Sequence, residues 1–223
     1  MTEKALSSVL IAAALLSACG DWREDRLLSA EFVYRVGRDP KLARSAASRS
    51  YFERHRGDLT SRRAASWWRS YTASSSVPAR VAAAYALGEA RRPQAAALLR
   101  RLLLDPDGDV RRAAAEAWGK LEPRAPVEPL LGSSRDPDGW VRLAACESLG
   151  RVGDPKGVAA LRERLADPNG LVRAAAAGAL AKLQPEGAEV DLAPLLDDPN
   201  GAVRLAAAQA LQRLRGHNTG SSP

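Results

Sequence analysis

The sequence predicts an all-α fold: a right-handed superhelix of stacked helix pairs, closed at its N-terminal end by a helical cap. Three observations predict it. Asp-Pro-Asp/Asn-Gly-x-Val-Arg recurs at a fixed 31-residue spacing, starting at Asp105, Asp136, Asp167 and Asp198. A constant period in this range marks a solenoid. The segment after each motif carries apolar side chains at helical spacing. The chain is 46% hydrophobic but only 5% aromatic, and much of the apolar content is alanine. Small side chains let helices stack closely in thin layers.

Within residues 74–215 each unit reads as two helices. The second starts after a side chain that accepts a bond from the free amides of a first turn, at Ser76, Asp107, Asp138, Asn169 and Asn200. Its buried stripe begins with Val110, Val141, Val172 and Val203, then Ala114, Ala145, Ala176 and Ala207. Trp118, Leu149, Leu180 and Leu211 continue it, followed by Leu121, Val152, Leu183 and Leu214. This i, i+4, i+8, i+11 pattern is one helix face.

The first helix of each unit is shorter. Leu99, Leu130, Leu161 and Leu192 align, as do Leu103, Ser134, Leu165 and Leu196. Pro129 and Pro194 fall inside two of these helices, which are expected to be short or kinked because proline lacks the amide and clashes one turn back. Residues 216–223 have no apolar pattern and are expected to be a disordered tail.

Asp-Pro-Asp/Asn-Gly-x-Val-Arg-x-Ala-Ala-x-x-x-Leu-Gly resembles the short HEAT-like repeat named after phycobilisome lyases. The resemblance covers nearly two-thirds of the chain. It implies that Arg80, Arg111, Arg142, Arg173 and Arg204 bond Asp105, Asp136, Asp167 and Asp198 of adjacent units, fixing their register. The rival reading of those arginines is a row that holds phosphate or sulfate. The resemblance also implies that the second helices line the inner curve. Registers away from the buried stripe then give a candidate protein-binding surface: Tyr85, Arg112, Glu116, Trp140, Leu143, Glu147, Leu171 and Leu205, with Asp109 and Gln209 beside them. An apolar strip with an aromatic anchor on a polar face is typical of interaction sites; the alternative is that these side chains pack against neighbouring repeats. Lys120, Arg151, Lys182 and Arg213 recur near the second helices' C-termini, where positive charge complements the helix dipole; the alternative is a column that binds a partner. Most proteins of this kind are scaffolds and adaptors, and a few are lyases or hydroxylases. The hydroxylases carry His-Glu metal pairs, and this chain has no His-Glu dipeptide. No catalytic residue carries over, and no cofactor or metal is expected.

Residues 1–18 read as a signal peptide: an apolar stretch from Ala5 to Ala18 behind Lys4, too short to span a bilayer comfortably. It ends in Leu16-Ser17-Ala18-Cys19-Gly20. This resembles the lipobox of bacterial lipoproteins, which implies that Cys19 is acylated and becomes the new N-terminus. Several acyl chains anchor stably where one is marginal. The implied address is the cell envelope, lipid-anchored, with Gly20 after the cysteine pointing to the periplasmic side of the outer membrane over the inner membrane. The alternatives are an ordinary secretory signal cut near Ala18 and an uncleaved anchor. The second cysteine, Cys146, aligns with Ala115, Ala177 and Ala208 and reads as a packing thiol. With Cys19 acylated no disulfide framework exists, and the two histidines, His55 and His217, lie far from Cys146 in the sequence.

Residues 19–73 read as a linker and a degenerate helical cap, since a solenoid needs its first unit covered; Trp67, Trp68 and Tyr71 would form the cover. The alternative is a basic aromatic surface for anionic lipid or polymer. Net charge is +7, and its excess sits before the repeats: residues 21–71 carry 12 basic and 7 acidic side chains, residues 74 onward 20 and 18. A nearly neutral array in an exported protein argues against nucleic acid. No phosphate loop, paired catalytic carboxylates or zinc spacing occurs, so no small-molecule substrate is expected. The reading is a membrane-anchored, non-catalytic scaffold that binds a protein partner through the concave face of the array. The alternatives are a structural accessory of an envelope complex, held by the basic N-terminal region, and a lyase-like enzyme.

Overall fold

The computed structural model describes residue 69 and residues 72–218, apart from 76, 92 and 122–124. Cys19, the signal peptide, Ser76, almost all of the expected cap and the end of the tail lie outside the described residues. Among those described, helices alternate long and short: α1 Val77–Ala90, α2 Ala96–Leu102, α3 Gly108–Trp118, α4 Glu128–Ser133, α5 Gly139–Val152, α6 Val158–Arg164, α7 Gly170–Leu183, α8 Ala188–Leu192 and α9 Gly201–Asn218. Short 3-10 turns at Pro93–Ala95, Pro155–Gly157 and Ala193–Asp197 adjoin α2, α6 and α8. The fold is an all-α solenoid of stacked helix pairs.

The long helices start where Asx side chains satisfy first-turn amides. Asp107 accepts from the backbone N–H of Asp109 and Val110, Asp138 from Trp140, Asn169 from Leu171 and Asn200 from Ala202. Each acceptor replaces an intrahelical partner that the first turn lacks. Val110, Val141, Val172 and Val203 are fully buried. Trp118 is buried too, and its indole N–H donates to the Pro126 carbonyl at 2.9 Å, which ties the end of α3 to the chain just before α4.

α1, α3, α5, α7 and α9 stack side by side, each on the next. This layer is close-packed. A Cβ at Gly150 of α5 would lie 2.8 Å from the Cβ of Ala179 on α7. The short helices cover the other side, driving fully buried Leu99, Leu130, Leu161 and Leu192 into the seam between layers.

Both prolines shape the short layer. Pro129 occupies the first turn of α4, where its missing N–H costs nothing. Pro194 falls just after α8, which ends at Leu192 and passes into a 3-10 turn. The second short-helix register is uneven. Leu103 and Ser134 are buried, Leu165 is half-buried, and Leu196 is exposed because no described element covers it. α9 continues to Asn218, three residues past the boundary that the apolar pattern marks: the helix outlasts the stripe that buries it.

Candidate functional site

Two sets of side chains are organised by the stack. One is the charged edge at the repeat boundaries. Arg80 Nε and Nη2 donate to Asp105 at 2.7 and 2.8 Å, and Arg111 to Asp136 at 2.7 and 3.0 Å. Arg142 donates to Asp167 at 2.8 and 2.9 Å, and Arg173 to Asp198 at 2.8 and 2.8 Å. Such fork-to-carboxylate pairs fix orientation as well as distance. The remaining nitrogen of each arginine turns back to its own loop: Arg111 Nη1 donates to the carbonyls of Asp105 and Pro106 at 2.8 and 3.0 Å. The aspartates are equally engaged, since Asp105, Asp136, Asp167 and Asp198 also accept the backbone N–H two residues on, at 3.0, 2.9, 2.9 and 2.8 Å. Arg204 keeps the loop bonds, to Asp198 and Pro199 at 2.7 and 3.1 Å, and meets no carboxylate among the described residues. The forks of Arg80, Arg111, Arg142 and Arg173 are filled, so the row offers no free anion site there.

The second set is the open face of the long helices. At about 100° per residue, the second, fifth, ninth and thirteenth positions of α5, α7 and α9 point away from the short layer. In α5 these are Trp140, Leu143, Glu147 and Arg151; in α7, Leu171, Ala174, Gly178 and Lys182; in α9, Ala202, Leu205, Gln209 and Arg213. Trp140 is 55%, Leu171 42% and Leu205 60% exposed. Glu147 is exposed as well, and Leu143 and Glu116 are half-buried.

Two residues expected on this surface are not available there. Tyr85 is 8% and Arg112 7% exposed. The reason is that α3 stacks over α1 and the pair is held internally: Arg112 donates to Asp109 and Glu116, both at 3.0 Å, and lies 3.4 Å from the Tyr85 hydroxyl. Burial works against the Arg112 charge, but Tyr85, Glu116 and Asp109 outweigh it and raise its pKa. The face over α1 and α3 is therefore a closed polar network, and the apolar strip belongs to α5, α7 and α9.

The sequence of this array matches the HEAT-repeat profile at residues 65–134, 105–181 and 127–212. The chain is a HEAT-repeat protein. No curated protein matches it. Several solved structures resemble this HEAT-repeat chain in fold. The Escherichia coli protein YibA is 19% identical, with 93% of this chain and 78% of that one covered and a TM-score of 0.63. A designed armadillo repeat protein in complex with the peptide (KR)4 is 19% identical over 82% and 98%, with a TM-score of 0.53. An engineered protein is 20% identical over 83% and 88%, with a TM-score of 0.52.

Among the described residues, three exposed large apolar side chains of the HEAT array lie outside the anticipated strip: Leu104, Val190 and Leu196. The repeat register carried a signal for two of them. Leu104 aligns with Arg135, Ala166 and Asp197, and Val190 with Ala97, Glu128 and Ala159; an apolar residue where other units are polar or small needs no burial. The Lys120–Glu89 ion pair between the turn after α3 and the end of α1 was not legible, because no other unit repeats it.

Proposed function

We propose that this HEAT-repeat protein is a non-catalytic scaffold, anchored in the bacterial envelope through acylated Cys19, that binds another protein on the concave, open face of its long helices. The observation that carries the reading is the exposure of Trp140, Leu171 and Leu205 on one face of three consecutive long helices. A half-exposed tryptophan flanked by leucines is the composition of an interface anchor. The close stacking beneath makes the surface preformed, so binding orders little chain. HEAT and armadillo arrays are typically protein-interaction scaffolds, and the reading applies that general role to this particular face.

A photo-crosslinking residue at position 171 of the full chain, in living cells, tests it. The expected result is one discrete crosslinked protein, lost when Trp140→Ala is added while helicity is unchanged. A silent crosslinker, or a product indifferent to Trp140, sinks the reading. The anchor is tested separately: Cys19→Ser abolishes incorporation of labelled palmitate, and unchanged labelling refutes acylation.

A further inference from the structure

The open face has a second row, and it runs beside the apolar one. Arg151, Lys182 and Arg213 occupy the same position of α5, α7 and α9, one per repeat, and all are exposed. Among the described residues none of them meets a carboxylate; Arg151 makes only a 3.4 Å bond to the Glu116 carbonyl. The fourth member of the register behaves differently. Lys120, just past the end of α3, is tied to Glu89, as Arg112 on α3 is tied to Asp109 and Glu116. The unneutralised cations therefore coincide with the half of the face that carries Trp140, Leu171 and Leu205. Glu147 is the only anion among the face positions of these three helices, so that half is net positive.

Resting on the binding-face reading above, we infer that the partner element is an acidic amphipathic helix of another protein, laid across α5, α7 and α9 between the two rows. The dimensions support a helix. Trp140 to Arg151 is a rise of about 16 Å, and Leu205 to Arg213 about 12 Å, at about 1.5 Å per residue. A helix with its side chains is about 10–12 Å across. The floor between the rows is low at its centre, where Ala174 and Gly178 lie on α7 and a Cβ at Gly178 would meet nothing within 4 Å. Stacked helices sit about 8–10 Å apart, so the cations repeat at close to the about 10.5 Å that separates residues i and i+7 of a helix. One carboxylate every second turn then meets one cation per repeat, while the opposite flank buries leucines on Trp140, Leu171 and Leu205. Glu147, on α5 between Trp140 and Arg151, lies under one end of the path and accommodates a polar residue there.

The test uses the full chain and two synthetic helical peptides with the same leucine flank. One carries glutamate at i, i+7 and i+14 on the other flank; its counterpart carries lysine. Binding is followed by fluorescence anisotropy at two salt concentrations. The glutamate peptide is expected to bind about tenfold more tightly, the sum of three rim ion pairs, with the gap closing at high salt. The double variant Lys182→Glu/Arg213→Glu, which leaves the buried stripe untouched, is expected to reverse the preference. Equal binding of both peptides, binding of neither, preference for lysine, or a preference the double variant does not move overturns the acidic helix. The crosslink at position 171 reports independently on the face, so the loss of this inference is distinguishable from the loss of the scaffold reading.

Discussion

Arg142 and Asp167 are locked to one another across a repeat boundary. Their two bonds measure 2.8 and 2.9 Å, and the Asp167 side chain has no solvent exposure. Removing the carboxylate leaves a largely desolvated guanidinium and strips the Asn169 N–H of its acceptor. Asp167→Ala is therefore expected to destabilise the array by about 3 kcal/mol, measured by urea unfolding followed by circular dichroism. Arg135→Ala breaks an ion pair with Glu163 that is mostly in water and is expected to leave the midpoint nearly unchanged. Similar shifts for the two variants would refute a structural role for the buried pair.

The same aspartates set an acid limit. Burial works to raise the carboxyls of Asp105 and Asp167, but the Arg80 and Arg142 forks, the backbone N–H groups of Asp107 and Asn169 and neighbouring arginines leave both below the ordinary value. At Asp198 the Arg173 fork leads and the net direction is the same. A carboxyl lowered by folding binds fewer protons folded than unfolded. Its stabilisation is fully present above the unfolded value of 3.8 and is lost as pH falls through the lowered folded values. The thermal midpoint is expected to be level from neutral pH to about 5 and to fall below about 4. Asp167→Asn should flatten that fall; an unchanged acid profile in this variant would count against the pair as its source.

What was legible in the sequence follows from what the repeat enforces. Val110, Val141, Val172 and Val203 were readable because a helix that stacks on its copies must bury the same register each time. Asp107, Asp138, Asn169 and Asn200 were readable because a first turn needs an acceptor. The face was legible only in part. Trp140 and Leu171 stand where the period places them, yet Tyr85 and Arg112 are buried by a network involving Asp109 and Glu116, and no other unit has it. Departures from the repeat are one-off contacts, and a periodic pattern carries no information about them. Residues before the HEAT match, which begins at residue 65, have no clear period, so the expectations of a cap and of acylation at Cys19 rest on local sequence alone.

Cys146 is fully buried within the stack, and burial pushes its thiol up to about 12. The thiolate is the nucleophile, so the folded protein holds almost none at neutral pH. In a Cys19→Ser background, Ellman's reagent at pH 8 is expected to leave the native chain unmodified. The labelling rate should then rise with urea in step with the loss of helicity. Prompt native labelling would show that the thiol is exposed and that α5 is not seated as described.

Two glycine-to-alanine changes should have opposite signs. At Gly150 the new Cβ would lie 2.8 Å from the Ala179 Cβ and 2.9 Å from its Cα. Both belong to a fixed helix, so α5 and α7 must move apart, at a cost of about 1–3 kcal/mol. At Gly178, in the middle of α7, a Cβ meets nothing within 4 Å. There the change only removes conformational freedom from the unfolded chain and is expected to stabilise by about 0.5–1 kcal/mol. Both are read from urea midpoints. Stabilisation at position 150 would mean that the long helices are not in close contact there. Destabilisation at position 178 would mean that the floor of the open face is already occupied by part of the folded chain.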